Sequence, residues 1–330
     1  MKQKIVVIGG GTGTVSVLNG LKEYHDQLDI CVIVNMTDDG GSNAMVRDEF
    51  GILPLSDLRK SIIGLADHGN GTLRELFNYR FEQGNGLSGH TLGNLIMMAL
   101  TRISGSEIGA IREASKLFNV LGEILPVTLD DVRLKAEYSN GEVVTGEHLI
   151  DEPLEFDENV IIEKFYTTPS AKAYPPVLER LAAADYILIG PGDLYTSTLA
   201  NIIVEEVSEA IKASSAKLVF ISNLMTKMGQ THGMSHQDLV NEMTKYVTRV
   251  PDFVLVNNRE IPNDIVEKYA ESKEFVIEDD LNNNEYKIIR ADLIGDREIV
   301  RTKGDVLKRS LVRHDSQKLS KALVGEIFNF

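Results

Sequence analysis

What most constrains this chain is an alternation: short apolar runs of strand length keep giving way to stretches of helical period. "KIVVIGG" is followed by "VSVLNGLKEY", in which Val15, Leu18 and Leu21 recur at helical spacing, and then by a second apolar run, "DICVIVNM". Strands joined through a helix run parallel. The pattern therefore predicts an α/β fold, a mostly parallel sheet with helices on both faces. The rhythm resumes later with "ADYILIGPG" as strand, "TSTLANIIVEEVSEAI" as helix, "AKLVFISN" as strand, "HQDLVNEMTKYV" as helix and "DFVLVNN" as strand.

Two stretches depart from it. "LSDLRKSIIGLA", "TLRELFNYRF", "TLGNLIMMALTRI" and "SEIGAIREASKLF" read as four successive helices, a helical insertion over about 52–118. The segment of about 122–165 changes character, and "VRLKAEYSNGEVVTGE" alternates around Asn140-Gly141, a strong hairpin signal. It reads as a small antiparallel excursion. The closing "SQKLSKALVGEIF" is an amphipathic helix capped by Asp315 or Ser316. With no internal repeat and no Pro-, Gly- or Ser-rich linker, residues 1–330 read as a single domain.

Composition narrows the partners. A chain that is 43% hydrophobic and 25% charged is a globular mix, and its net charge of −15 repels nucleic-acid backbones and anionic membranes. Any anionic ligand must then sit in a local pocket. "MKQKIVVIGG" has too short an apolar stretch for a signal peptide, and no later run approaches the ~20 residues of a membrane span. The expectation is a cytoplasmic protein. Its one cysteine, Cys31 in "ICVIV", reads as a small buried hydrophobe, and no disulfide within the chain is possible.

In an open parallel sheet, ligands bind beyond the carboxyl ends of the strands, so the loops there carry the chemistry. Gly9, Gly10, Gly11, Thr12 and Gly13 open the first helix, and glycines at a helix amino end suit a phosphate or pyrophosphate. Thr14 stands where the dinucleotide fingerprint needs a third glycine, which argues against a dehydrogenase; no NAD or flavin is expected. After strand two, Asp38 and Asp39 are read two ways, as turn residues or as ligands for Mg²⁺ or ribose hydroxyls. Asp57 and Arg59 open the next helix, where Asp57 also serves as a first-turn acid. At the head of a very apolar helix, Thr91 suits an N-cap, while His90 and Asn94 need partners that a ligand would supply. His90 stays open between core residue and site residue, and with Asp38 it is a candidate catalytic residue. Gly190, Gly192, Thr196 and Ser197 form a second glycine-rich turn at a helix start, again the parts of an anion site. Asn223, Thr226 and Lys227 follow the next strand. His232 and His236 are four apart, but Gly233 breaks any helix between them, so they are not read as a metal pair. His25, His68 and His148 read as surface residues.

With these loops together, the sequence resembles the gluconeogenesis factor family (YvcK-type), within the CofD-like superfamily of 2-phospho-L-lactate transferase. The resemblance rests on "GGGTG" at 9–13, "DDGGS" at 38–42, "GILP" and "DLR" at 51–59, "GHTLGNL" at 89–95, "GPGDLYTS" at 190–197, "NLMT" at 223–226 and "RHD" at 313–315. It implies a Rossmann-like fold, binding of uridine-diphosphate sugars, and a role in growth on non-sugar carbon sources and in cell shape. It also implies that the acidic loop, Asp38, Asp39, Gly40, Gly41 and Ser42, belongs to the diphosphate and metal site, with Arg47 beside it. The family pattern "DDGGSSGRLR" is "DDGGSNAMVR" here, with Met45 in place of an arginine, and the turn "ETDG" is "QTHG", with Gln230 and His232 in place of two acids. The expected protein is a nucleotide-sugar-binding regulator, a homo-oligomer with Mg²⁺ as a possible cofactor. The alternative is a Mg²⁺-dependent transferase acting on a nucleotide-diphosphate-linked donor.

Overall fold

The computed structural model describes residues 1–40, 43, 47, 51–67, 71–153, 157–282, 285–295 and 311–329. Gly41, Ser42, Met45 and His68 lie outside the described residues. Seven strands form one parallel sheet: β1 (Gln3–Gly9), β2 (Leu28–Val34), β3 (Glu123–Pro126), β7 (Tyr186–Ile189), β8 (Lys217–Ile221), β9 (Phe253–Asn257) and β10 (Lys287–Ala291). Their order is β10-β9-β8-β7-β1-β2-β3. The chain thus leaves β1 in one direction through β2 and β3, and from β7 it runs in the other. The reversal falls between β1 and β7, the place where the ligand crevice of an open parallel sheet lies. Ile5, Val7 and Ile8 of β1 are wholly buried, as a strand covered on both faces requires.

The helices are α1 (Gly11–Leu21), α2 (Ser56–Leu65), α3 (Gly71–Asn78), α4 (Leu92–Ser104), α5 (Glu107–Leu117), α6 (Glu147–Asp151), α7 (Pro175–Ala183), α8 (Val207–Ala213), α9 (His236–Val247), α10 (Asn263–Ala270) and α11 (Ser316–Glu326). Helices α2 to α5 are the expected insertion. No described helix is long and apolar enough to cross a membrane. At the head of α11 it is Asp315 that caps, its carboxylate accepting from Gln317 N and Lys318 N.

The antiparallel excursion is a three-stranded sheet, β4 (Arg133–Tyr138), β5 (Val143–Thr145) and β6 (Ile162–Thr168), in the order β5-β4-β6. Gly141 turns the hairpin at φ 85°, and Glu142 N donates to Asn140 Oδ1 at 2.9 Å. Two details correct the sequence reading. Residues 123–126, assigned to the excursion, are β3 and pair in parallel with β2. The single helix expected from Thr196 is broken: a π-helical turn, Leu194–Leu199, runs into Ala200–Ile202, and α8 starts only after Glu206 at φ 73°. Glu205 N donates to Ala171 O there, a bond to a distant segment that a continuous helix would forbid.

Candidate functional site

At the end of β1 the chain turns into α1 with Gly10 as N-cap, and no side chain caps the helix. Gly11 holds φ +66°, a conformation that suits glycine. The loop is pressed against its counterpart after β7: a Cβ on Gly13 would collide with the Pro191 carbonyl, and one on Gly192 would lie 3.4 Å from Gly10 O. Ser197 Oγ lies 3.6 Å from where a Cβ on Gly11 would be. Thr14 does not line the opening; its hydroxyl donates to Gly10 O at 2.9 Å and closes the turn from behind. The first turn of α1 therefore offers its backbone N–H groups to the crevice, with Ser197 opposite.

The turn after β7 is tied down. Thr196 is buried; its hydroxyl donates to Asp151 Oδ1 at 3.1 Å, its N–H to Gln230 Oε1 at 3.5 Å, and its carbonyl accepts from Asn35 Nδ2 at 3.0 Å. Asn201 Nδ2 donates to Ser197 O at 2.9 Å and to Gly9 O at 3.4 Å, linking the two loops. Thr196, expected to offer donors to an anion, is thus engaged within the protein.

Acids and lysines line the rest. Helix α6, from the antiparallel segment, brings Glu147 and Asp151 four residues apart onto one face. Glu147 lies among Asp38, Asp57 and Asp39, and its pKa is raised well above the ordinary carboxyl value by burial and by those neighbours, Asp38 foremost. Asp38 is pushed up to about 6, mainly by burial, with Lys60 opposing. Lys60 Nζ donates to Asp57 Oδ1 at 2.8 Å; burial works against its charge, but Asp57 and Asp38 outweigh burial and raise its pKa. At the other end of α6, Asp193 is pushed up to about 7 by burial and by Asp151, against Lys227. Lys227 Nζ is 3.7 Å from Asp151 Oδ2, and Gln230 Nε2 donates to Asp151 Oδ1 at 2.9 Å. Asp39 has other work. It accepts from His148 N at 2.9 Å, so holding the start of α6, and pairs with Arg133 at 3.2 Å. Of the two expected cation ligands, Asp39 thus has one oxygen on the start of α6 and the other on Arg133. Among the described residues, no three His, Cys, Asp or Glu side chains gather as a metal cage.

Several expected residues turn out to serve one another. Arg59 Nε donates to Asn94 Oδ1 at 3.0 Å, and its Nη1 to Asn78 Oδ1 at 2.7 Å, so Asn94, expected to need a ligand, and Arg59 bind the helices of the insertion together. Asn94 also reaches Asn43 Oδ1 and Ser56 Oγ at 3.4 Å, and Thr91 caps α4 by accepting from Asn94 N. His90 is buried at the head of α4, where its backbone closes the turn with Phe81 and Leu87. Arg47 is buried, with Nη2 donating to Val132 O at 2.7 Å and pairing with Asp131, while Nε and Nη1 find no partner among the described residues. Gly40 N donates to Asp38 Oδ1 at 3.0 Å. Asn223 is half-buried just beyond β8. Thr226 is buried, and Phe275 N donates to its hydroxyl at 2.9 Å, a strap onto the 275 segment. His232 Nδ1 lies 3.2 Å from Lys273 O, whereas His236 Nδ1 lies 2.7 Å from Ser222 Oγ, so the two rings serve different segments.

Glu147, Asp151, Asp193 and Lys60 were not singled out in the sequence. For α6 the signal was present, "GEHLID" with acids at i and i+4, but five residues show no apolar period to mark a helix.

Comparison with known proteins finds relatives over nearly the whole chain. The family model described as 2-phospho-L-lactate transferase CofD matches residues 5–294. The chain is 38% identical over 324 residues to the gluconeogenesis factor of Bacillus subtilis, covering 98% of each chain. It is 38% identical over 325 residues to that of Halalkalibacterium halodurans, covering 98% of this chain and 96% of that one. A crystal structure of a UPF0052 family protein from Bacillus halodurans superposes with a TM-score of 0.87 at 34% identity, covering 98% of this chain and 99% of that one.

Proposed function

The chain belongs to the CofD family and, within it, to the gluconeogenesis factors, and from that premise we propose that it is a regulatory protein that binds a nucleotide sugar of the uridine-diphosphate type. One observation carries the reading: the uncapped amino end of α1 faces the loop after β7 at the switch point of the sheet. The diphosphate sits on residues 9–13 with Ser197 opposite, and the acid-lined ground under α6 receives the hydroxyl-bearing part. In the cell the protein acts in the cytoplasm, in growth on non-sugar carbon sources and in cell shape.

Magnitudes decide whether the loop suffices alone. A helix amino end favours an anion by ~0.3–1 kcal/mol, whereas two like unit charges 4 Å apart repel by about 4 kcal/mol at an effective dielectric of 20. With Asp38, Asp57, Glu147, Asp151 and Asp193 against Lys60 and Lys227, a diphosphate needs either protonated acids or an accompanying cation. Mg²⁺ on Asp38 and the phosphate oxygens fits the donor set, since Mg²⁺ takes one or two carboxylates plus phosphate. Calorimetric titration of a panel of nucleotide diphosphates and their sugars, with and without Mg²⁺, tests the proposal. Micromolar binding strengthened by Mg²⁺ and weakened in Asp38→Asn is expected; no binding by any member would refute it.

The transferase reading has its own support in Asp38, whose pKa of about 6 lets it exchange a proton near neutral pH. The two readings separate on the recovered ligand. A regulator needs only ground-state affinity and returns a uridine-diphosphate sugar intact after hours with Mg²⁺, whereas a transferase also stabilises the leaving phosphate. Chromatography showing released uridine diphosphate or monophosphate, lost in Asp38→Asn, would favour the transferase.

A further inference from the structure

Beyond the carboxyl end of β8, two neutral side chains stand without partners. Asn223 is half-buried, and its amide makes no hydrogen bond among the described residues. His314, in the "RHD" segment, is 7% exposed, and its Nε2 finds no partner among the described residues. The two are linked in space: His314 lies within electrostatic reach of His236, whose Nδ1 is 2.7 Å from the hydroxyl of Ser222, the residue before Asn223. Burial pushes His314 down to about 4, with His236 acting in the same direction. At neutral pH the ring is therefore uncharged, with one N–H and one bare nitrogen. Polar groups withdrawn from water without a partner are costly, and a pair of them on two segments marks a place where a ligand supplies the bonds.

Topology says which part of a ligand comes here. The turn after β8 runs beside the turn after β7: a Cβ on Gly190 would lie 2.8 Å from Ile221 O, and Asp193 and Lys227 act on each other's charge. β8 is two strands from β1, about 10 Å at ordinary strand spacing. That matches the reach of a nucleoside from its diphosphate to the far edge of its base. In the other direction, at the Glu147 end of α6, carboxyl groups predominate, and these are partners for the many hydroxyls of a sugar. Uracil carries no charge and offers two carbonyls and one N–H, so it needs neutral donors beside an acceptor. The Asn223 amide supplies both in one plane, and the His314 ring supplies a further N–H. We propose that the base of a uridine nucleotide docks at the carboxyl end of β8, with its N3–H and O4 on the Asn223 amide and its other carbonyl on the His314 ring. The inference rests on the nucleotide reading above and adds the direction in which the nucleotide lies, base toward β8 and sugar under α6.

Calorimetric titration of the full chain with uridine diphosphate and, separately, with inorganic pyrophosphate, both with Mg²⁺, tests the proposal. Asn223→Ala should weaken uridine diphosphate about tenfold and leave pyrophosphate within about twofold, because pyrophosphate lacks the part that Asn223 reads. His314→Leu should show a smaller loss of the same kind, with pyrophosphate binding as the check that the variant is folded. A change on the ligand needs no variant. N3-methyluridine diphosphate, which has lost the N3–H, should bind wild type about tenfold more weakly than uridine diphosphate, and the two ligands should bind Asn223→Ala alike. Wild type that binds no uridine diphosphate would end the nucleotide reading and this proposal with it. Wild type that binds it while Asn223→Ala binds it equally, or while methylation at N3 changes nothing, would overturn the proposal and leave the nucleotide reading standing. An equal loss for pyrophosphate would put Asn223 at the phosphates and overturn it too.

Discussion

At the end of β1, Gly10 and Gly11 leave the first turn of α1 without a side-chain cap. At the end of β7, Asp151, Gln230, Asn35 and Asn201 claim the polar groups of the matching turn. Composition makes the two turns look alike, each a strand, a pair of glycines, a hydroxyl and a helical start. The difference lies in what surrounds them. The first is met mainly by backbone and by Asp57, so its donors stay available. The second is fixed by Asp151, Gln230 and Asn35 from three other segments and by its own Asn201, so it acts as a frame that holds Ser197 against its neighbour. Glycine-rich turns are therefore separated by who else reaches them, and this is a property of the tertiary structure.

The largest effect should come from breaking the presenting turn. Gly11→Val places a branched side chain where φ is +66° and where the anion would lie. Affinity for a uridine-diphosphate sugar should fall by about 100-fold or more, a loss of ~2.7 kcal/mol, measured by calorimetry on a variant shown to be folded. Undiminished affinity would mean that the two turns have been assigned the wrong way round.

The framing turn should respond in stability instead. Thr196→Val removes the hydroxyl that donates to Asp151 Oδ1, whose other donor, Gln230 Nε2, remains; it should cost about 0.5–1.5 kcal/mol, with affinity changed less than threefold by the ~1.4 kcal/mol-per-decade rule. Urea unfolding beside a titration reads both; a variant of full stability that binds poorly would show Thr196 touching the ligand after all.

A pH dependence sharpens the same contrast. Asp193 has a folded pKa of about 7 against the ordinary aspartate value of 3.8, so the native state holds a proton that the unfolded chain has released. Stability then falls as pH rises through the window from about 4 to 7 and levels off above it. Asp193→Asn should flatten that slope in melting curves recorded across the window, and an unchanged slope would remove Asp193 from the network. Smallest of all, Ser197→Ala removes one hydroxyl facing Gly11 and should weaken binding by severalfold, about 0.5–1.5 kcal/mol, with no loss of stability. A destabilised variant of normal affinity would make Ser197 one more strut of the frame.

The sheet was legible because each strand announces itself locally: "KIVVIGG" and "DICVIVNM" became β1 and β2 with their glycine and aspartate loops at the carboxyl ends. The insertion was legible for the same reason, its helices being long and periodic. Partnership was not. The sequence leaves Asn94 in want of a partner, and the one it finds, Arg59, lies 35 positions away. The acids of α6 sit in a helix too short to show a period, and they matter only because β4 to β6 deliver them to a crevice built by other strands. Residues 123–126 joined the main sheet because β2 offered a parallel edge, which no local signal of turn or alternation records.

The bond from Asn201 to Gly9 spans 192 positions of the chain. Emerging from a ribosome, β1 waits with one edge uncovered until more than half of the sequence has followed it, and contacts of such separation are slow to form because loop closure must precede any gain. The crevice is thus among the last features to exist. A nascent chain halted before Tyr186 should gain no protease protection from the ligand, whereas one released beyond Asn201 and the strand that follows should, which would make ligand capture a report on completed synthesis.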